Sequence, residues 1–264
     1  MIRKLTETDR DSLLKYLYVE GSLNIFIIGD VEAFGFGRDF QSLYGEFDED
    51  NNYVAVLLFY RENSIFYAHG RTFNVEWLKI FAKHDFKFLS GAQSVFDKII
   101  PYFNDFKLQP MYFCEAYTLE EETINNEYKA IKASTKEHCG KLYDILATIE
   151  EFGYEKKTKD EYISGKLIAL KMGSTLFIEE DGKILSTVAT TAETTKSAMV
   201  VAVATLKEAR GRGLATILMK ELMREYFDEK NKYLCLFYDN PKAGNIYKRL
   251  GFKDVDKWVM LKKE

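Results

Sequence analysis

Residues 200–215 read Val200-Val201-Ala202-Val203-Ala204-Thr205-Leu206-Lys207-Glu208-Ala209-Arg210-Gly211-Arg212-Gly213-Leu214-Ala215. A β-branched apolar run breaks at Leu206-Lys207-Glu208, turns through two glycines and opens into a helical pattern. A strand, a glycine turn and a helix N-terminus in that order form an anion site. The first amides of a helix have no intrahelical partner, and they point together at the positive end of the dipole. Glycine at 211 and 213 lets the main chain approach a phosphate with no Cβ in the way. The stretch is therefore expected to cradle a pyrophosphate. An ordinary tight strand-to-helix turn is the plain alternative. It fits neither the Gly-x-Gly-x-x-Gly dinucleotide pattern nor the Gly-Lys-Ser/Thr phosphate loop.

Outside this stretch, composition narrows the class. A chain of 264 residues with 47% hydrophobic and 30% charged residues can bury a sizeable core in one large domain or two ordinary ones, and is not disordered. A net charge of −4 disfavours nucleic acid, whose phosphates want a basic face. Cys114, Cys139 and Cys235 are odd in number and far apart, which fits buried thiols in a reducing cytosol rather than disulfides or zinc. His69, His84 and His138 fall in no constellation, so no metal is expected. The N-terminal residues carry no apolar signal core, and the longest apolar run, 53–60, is too short to span a bilayer. A cytoplasmic protein is the expectation, with no membrane and no nucleic-acid partner.

The pattern falls into two halves. In the first, Leu13, Leu14 and Leu17 predict a short helix, and 21–45 reads as irregular. Runs 53–60 and 65–68 predict a hairpin, 75–83 a helix, 86–89 a strand, 92–103 a helix and 112–117 a strand. An acidic, polar segment at 119–128 marks the division, giving domains 1–120 and 128–264. In the second half, Ser134-x-x-Glu137 and Thr158-x-x-Glu161 predict two capped helices. Asp181-Gly182 joins strands 175–179 and 184–191. Strand 198–205 leads into the turn, a helix carries Leu214, Ile217, Leu218, Leu222 and Tyr226 inward, and 234–238 forms a parallel neighbour. Asn240 as N-cap, Pro241 at the first helical position and Gly251 past the end delimit a short helix before a last strand at 257–261.

Arg210-x-x-Gly213-x-Ala215 resembles the acyl-CoA signature of the GNAT superfamily of N-acetyltransferases. Asn240, Ala243, Tyr247 and Gly251-Phe252 match that family's second signature. Two signatures in order and on the expected elements are far more specific than either alone. The resemblance implies an α/β (α+β) GNAT fold over 128–264, a mixed, mostly antiparallel sheet flanked by helices. By element order alone, the first half resembles a degenerate GNAT-like domain without the signature, either binding no cofactor and shaping the acceptor pocket, or merely structural.

The resemblance also assigns roles. Main chain near Val203 and Thr205 would meet the pantetheine amides of acetyl-CoA, the cosubstrate. The amides of Arg210, Gly211, Arg212, Gly213, Leu214 and Ala215 would take the pyrophosphate, with the Thr216 hydroxyl assisting. The Arg212 side chain is a phosphate partner or a solvated arginine, and Asn240 a pantetheine neighbour or simply a cap. Ala243 and Tyr247 belong to the second signature, with the Tyr247 phenol near the CoA sulfur as proton donor to the leaving thiolate. Strand 198–205 holds no acid. Glu193, in the turn upstream, is the nearest candidate base, ahead of Glu179 and Glu180. The implied reaction is acetyl transfer to a small-molecule or peptide amine. The alternatives are an aminoacyl transferase with tandem GNAT-like halves and a CoA-sensing module without catalysis.

Overall fold

A computed structural model describes residues 1–120, 128–149 and 158–264. Most of the acidic segment expected to divide the chain lies outside these residues. In order, the chain forms β1 (Ile2–Lys4), α1 (Arg10–Leu17), α2 (Ile25–Phe34), β2 (Gln41–Phe47), β3 (Tyr53–Tyr60), β4 (Asn63–Tyr67), α3 (Leu78–Phe81), β5 (Phe88–Ala92), α4 (Gln93–Phe96) and β6 (Phe106–Ala116). There follow β7 (Ile131–Lys132), α5 (Lys136–Leu146), α6 (Lys159–Ala169), β8 (Thr175–Glu180), β9 (Lys183–Thr191), β10 (Ser197–Thr205), α7 (Leu214–Arg224), β11 (Tyr233–Tyr238), α8 (Pro241–Arg249) and β12 (Lys253–Lys263). Among the described residues no helix is long and apolar enough to cross a membrane.

The chain divides into two compact units. The first takes Met1–Cys114 with Phe237–Asp239 and Asp254–Glu264, and the second takes Glu115–Leu236 with Asn240–Lys253. The units are not contiguous in sequence, because most of the last strand belongs to the first.

In the first unit β1 to β4 run antiparallel to one another in sequence order. β5 joins β4 in parallel, and β12 pairs β5 antiparallel through Trp258↔Ala92 to Lys262↔Phe88. The aromatic content is core here. Phe59, Phe66, Trp77, Phe81, Phe86, Phe96 and Phe103 pack into one buried cluster with Val259 and Leu261 of β12. Trp77 is fully buried, and its indole N–H donates to Glu46 at 2.8 Å, so no polar atom of its ring system is orphaned.

Three expectations for this unit change. Segment 21–45 holds α2 and β2 rather than irregular chain. Helix α2 is apolar nearly all round, with Ile25, Ile27, Ile28 and Val31 buried, so it shows no amphipathic stripe to read. The helix expected over 92–103 is one turn, α4, and a 3-10 turn over Ile100–Tyr102 that contains Pro101. The helix expected over 75–83 is a 3-10 turn, Val75–Trp77, followed by the single turn α3.

The second unit orders its strands β11-β10-β9-β8-β7. β7 to β10 are antiparallel, and β10 pairs β11 in parallel from Ser197↔Tyr233 to Val200↔Leu236. The β8–β9 turn has positive φ at both Asp181 (51°) and Gly182 (80°), as a two-residue hairpin needs. Helix α6 begins in a complete capping box between Thr158 and Glu161. Helix α5 does not begin where its Ser-x-x-Glu pattern suggests. Thr135 is the N-cap, accepting from the His138 amide at 3.1 Å, and the Ser134 amide instead donates to His138 Nδ1.

A charge cluster ties the turn after α1 to the β4 end in the first unit. Glu20 accepts from both guanidinium N–H groups of Arg71 and from Tyr67 at 2.8 Å, and lies 3.0 Å from His69 Nδ1. Burial pushes the Glu20 carboxyl up, but these hydrogen bonds outweigh it and bring it from 4.5 down to about 2. A carboxyl depressed in the folded state stabilises that state above its unfolded pKa and loses the contribution as pH falls through the folded one. Glu20→Gln is therefore expected to cost about 2 kcal/mol at neutral pH. In thermal scans the gap to wild type narrows from pH 4.5 down toward about 2; a gap independent of pH across that window contradicts the assignment.

Candidate active site

The site is built on the end of β10. Its register with β9 shifts between Val201 and Ala204, and Ala202 sits in the left-handed region at φ 54°. A non-glycine residue there costs on the order of 1–2 kcal/mol. It marks a β-bulge that redirects the strand. The parallel register with β11 ends at Val200, and among the described residues the rest of β10 pairs with β9, at Val201, Ala204 and Thr205. This half of β10, including Val203 and Thr205, is only partly buried. Sequence alternation gave no signal of the bulge, because alanine is an unremarkable strand residue until its dihedrals are known. The strand end is pinned by Ser186, whose hydroxyl donates to the Ala204 carbonyl at 2.9 Å and lies 2.8 Å from the Thr205 hydroxyl.

After Thr205 the chain makes a 3-10 turn over Lys207–Ala209 and passes into α7. Gly211 (φ 82°) and Gly213 (φ 75°) are both left-handed, and Gly213 is the N-cap. A Cβ built on either meets no atom within 4 Å, so the glycines answer to backbone conformation and the space above them is open. The first α-type bond runs from the Ile217 amide to the Gly213 carbonyl at 3.1 Å. The amides of Leu214, Ala215 and Thr216 precede it and have no intrahelical acceptor. The Thr216 side chain is largely buried. Unpartnered amides, a helix dipole and open space fit an anion.

Side chains around the turn are placed less as expected. The Arg212 guanidinium donates to Glu180 at 2.7 Å and to the Tyr128 hydroxyl, stacking over that ring at 5.0 Å. It is held to the β8–β9 hairpin, leaving its backbone amide as its part in the turn. Arg210 donates from Nε to the Thr205 carbonyl at 3.3 Å. Glu179 is paired with Lys141 at 2.8 Å.

Glu193, the acid expected nearest the strand, is engaged in a hydrogen-bonded cluster of its own. It lies before β10 begins, and the nine residues of that strand separate it from the turn, roughly 25 Å at the rise of an extended chain. Its carboxylate accepts from Lys232 and Tyr226, each at 2.7 Å, and from Lys230 at 3.4 Å. Burial would raise the carboxyl, but these bonds and the two lysine charges outweigh it and hold it below the ordinary range. A depressed pKa makes a weak proton acceptor. Tyr226 also meets the Thr190 hydroxyl at 2.7 Å, so the group is a brace across β9, β10 and the end of the α7 segment. The partners lie 33 to 39 residues along the chain, beyond any local motif.

The second signature folds as a short capped helix. The Asn240 side chain accepts from the Lys242 amide at 2.9 Å, and Pro241 fills the first position. Gly244 and Tyr247, three apart, form its buried face, and Tyr247 lies one turn after Ala243. Past its end the Phe252 amide returns to the Tyr247 carbonyl at 3.0 Å, and the Phe252 ring packs edgewise on that of Tyr247, centroids 6.1 Å apart. Gly251-Phe252 thus fixes the tyrosine.

The histidines stay apart. His69 joins the Glu20 cluster, His84 stacks on Phe59 at 3.9 Å, and His138 packs edgewise on Phe177.

Residues 140–252 match the model of the Acetyltransferase (GNAT) family. They include the turn and both signature segments, and that segment of the chain belongs to the family. A 63-residue stretch is 36% identical to an N-alpha-acetyltransferase of Sulfurisphaera tokodaii, covering 23% of this chain and 38% of that protein. Likeness to solved structures spans nearly the whole chain. A Drosophila protein of 13% identity aligns over 98% of each chain with a TM-score of 0.71. The tandem GNAT protein of the clavulanic acid biosynthesis pathway, 12% identical, covers 99% of this chain and 97% of its own with a TM-score of 0.57.

Since Gly213 owes its place to φ and not to crowding, Gly213→Ala is expected to cost about 1 kcal/mol in urea unfolding. An unchanged midpoint contradicts the left-handed cap.

Proposed function

We propose, taking residues 140–252 as a GNAT-family domain, that the protein transfers an acetyl group from acetyl-CoA to a primary amine. One observation carries the reading: a left-handed Gly211–Gly213 turn, with open space at both glycine Cβ positions, leads into the first amides of α7, which no side chain caps. These amides are suited to the diphosphate of the donor, and the bulged half of β10, unpaired toward β11, is suited to the amides of its pantetheine arm.

The donor supplies an activated thioester. The amine nitrogen bonds to the acyl carbon, the carbon–sulfur bond breaks, and its electron pair leaves on sulfur. The proton that nitrogen sheds balances the one that sulfur gains, so the products are an amide and a thiol. Tyr247, buried and fixed by Phe252, is the proton donor to the thiolate in this reading. β10 carries no acid and Glu193 is held by its lysines, so the amine enters neutral or gives its proton to water. The same feature favours a second reading, a CoA-binding module without turnover. The α-amino group named by the Sulfurisphaera tokodaii relative is one amine to try first.

The test is thiol release from acetyl-CoA with a panel of amines. Turnover on at least one is expected, and saturable CoA binding with turnover on none supports the module instead. Tyr247→Phe is expected to lower kcat about a hundredfold while KM for acetyl-CoA stays within about twofold. Both parameters at wild-type level contradict the role of the phenol.

A further inference from the structure

Immediately before the glycine turn, a cleft of about 400 Å³ opens between α5, the β8–β9 turn and the residues following β10. Its lining includes Arg210, where the diphosphate turn begins, but among the described residues it includes neither Tyr247 nor residues 201–204. The thioester end of a bound donor, drawn along β10 toward Tyr247, therefore leaves the cleft free. Its floor is apolar, formed by the buried Ile145, Ile184 and Leu206. Most of its charges are paired. Asp144 meets Lys159, which lies outside the lining, at 2.7 Å. Glu208 meets Lys183 at 2.8 Å, and Lys141 meets Glu179 at 2.8 Å. Lys207 and Arg210 remain, both exposed, and among the described residues neither has a carboxylate partner.

The two cations lie on one side of the chain. They flank a 3-10 turn, Lys207–Ala209, that the Arg210 amide closes by donating to the Lys207 carbonyl at 3.4 Å. With three residues per turn, side chains at i and i+3 stack above one another. Arg210 Nε is held on the Thr205 carbonyl at 3.3 Å. Its outer N–H groups stay available beside the point charge of Lys207. Such a pair next to an apolar floor suits a phosphate carried on a ring system. Coenzyme A has that group. Its adenosine bears a 3′-phosphate, on the side of the diphosphate away from the thioester, and one ribose separates the two phosphate groups. The adjacency of Lys207 and Arg210 to the diphosphate turn matches that short separation. We infer that the cleft takes the nucleotide end of the donor, with the 3′-phosphate on Lys207 and Arg210 and the adenine against the apolar floor. The inference rests on the acetyl-CoA reading above and adds to it a selection for 3′-phosphorylated donors.

The experiment titrates the full chain calorimetrically with CoA and with 3′-dephospho-CoA at one low salt concentration. It uses wild type, Lys207→Ala and, as a control for overall charge, Lys171→Ala, whose lysine is exposed and outside the lining. Wild type is expected to bind CoA about tenfold or more tightly than 3′-dephospho-CoA. Lys207→Ala is expected to lose most of that preference by weakening CoA alone, and Lys171→Ala to keep it. Equal affinity of wild type for the two ligands overturns the inference and leaves the diphosphate reading standing. So does a Lys207→Ala variant that retains the preference, or one that weakens both ligands alike, since the lysine then does not serve the 3′-phosphate. An equal loss in Lys171→Ala overturns it too, because general charge then explains the effect. If neither ligand binds, the acetyl-CoA reading has failed, and adenosine 3′,5′-bisphosphate is titrated in their place. Binding that depends on Lys207 upholds the nucleotide site, and any other result overturns it.

Discussion

The structure of the second unit depends on the unmet hydrogen-bonding capacity at the start of α7. Every helix begins with donors that its own backbone cannot satisfy. Helices α5, α6 and α8 meet them with a capping side chain, from Thr135, Thr158 and Asn240. Helix α7 does not. Its N-cap is Gly213, which has no side chain to offer. The donors are left to water or to a ligand, and the space at the Cβ positions of the left-handed glycines beside them is open. The helix is held by its other faces, with Leu214, Ile217, Leu218 and Leu222 buried, so it can do without a cap.

The strand that delivers this turn is irregular for a related reason. A fully paired β10 would use its backbone groups in ladders on both sides. The bulge at Ala202 and the end of parallel pairing at Val200 release the downstream half from one of them. Strain at a non-glycine left-handed residue is tolerated where the surroundings fix it. Here the Ser186 hydroxyl fixes the strand just beyond. At the other end of β10, the Glu193–Tyr226–Lys232 brace fixes where the strand starts. The acid nearest the strand in the sequence has a structural place in that brace.

Local signals were legible in the sequence and distributed ones were not. Asp181-Gly182, Thr158-x-x-Glu161 and Asn240-Pro241 with Gly251 each encode a turn or cap within a few residues, and the structure has each of them. The phosphate-type turn was legible for the same reason. Helix α2 was not, because burial on nearly every side removes the periodicity that marks a helix. The cap of α5 slipped by one residue because Ser134 and Thr135 are chemically equivalent candidates. The brace and the Arg212–Glu180 pair depend on which charges meet across the fold, and no short window of sequence contains that information.

The central claim is that main-chain amides at the start of α7 bind the diphosphate of coenzyme A. Amide chemical-shift mapping with ¹⁵N-labelled protein tests it at single residues. Adding CoA is predicted to move the resonances of Gly211, Arg212, Gly213, Leu214 and Ala215 most strongly and saturably. Saturable CoA binding that leaves these amides unmoved, or no binding by the folded protein at all, would contradict it.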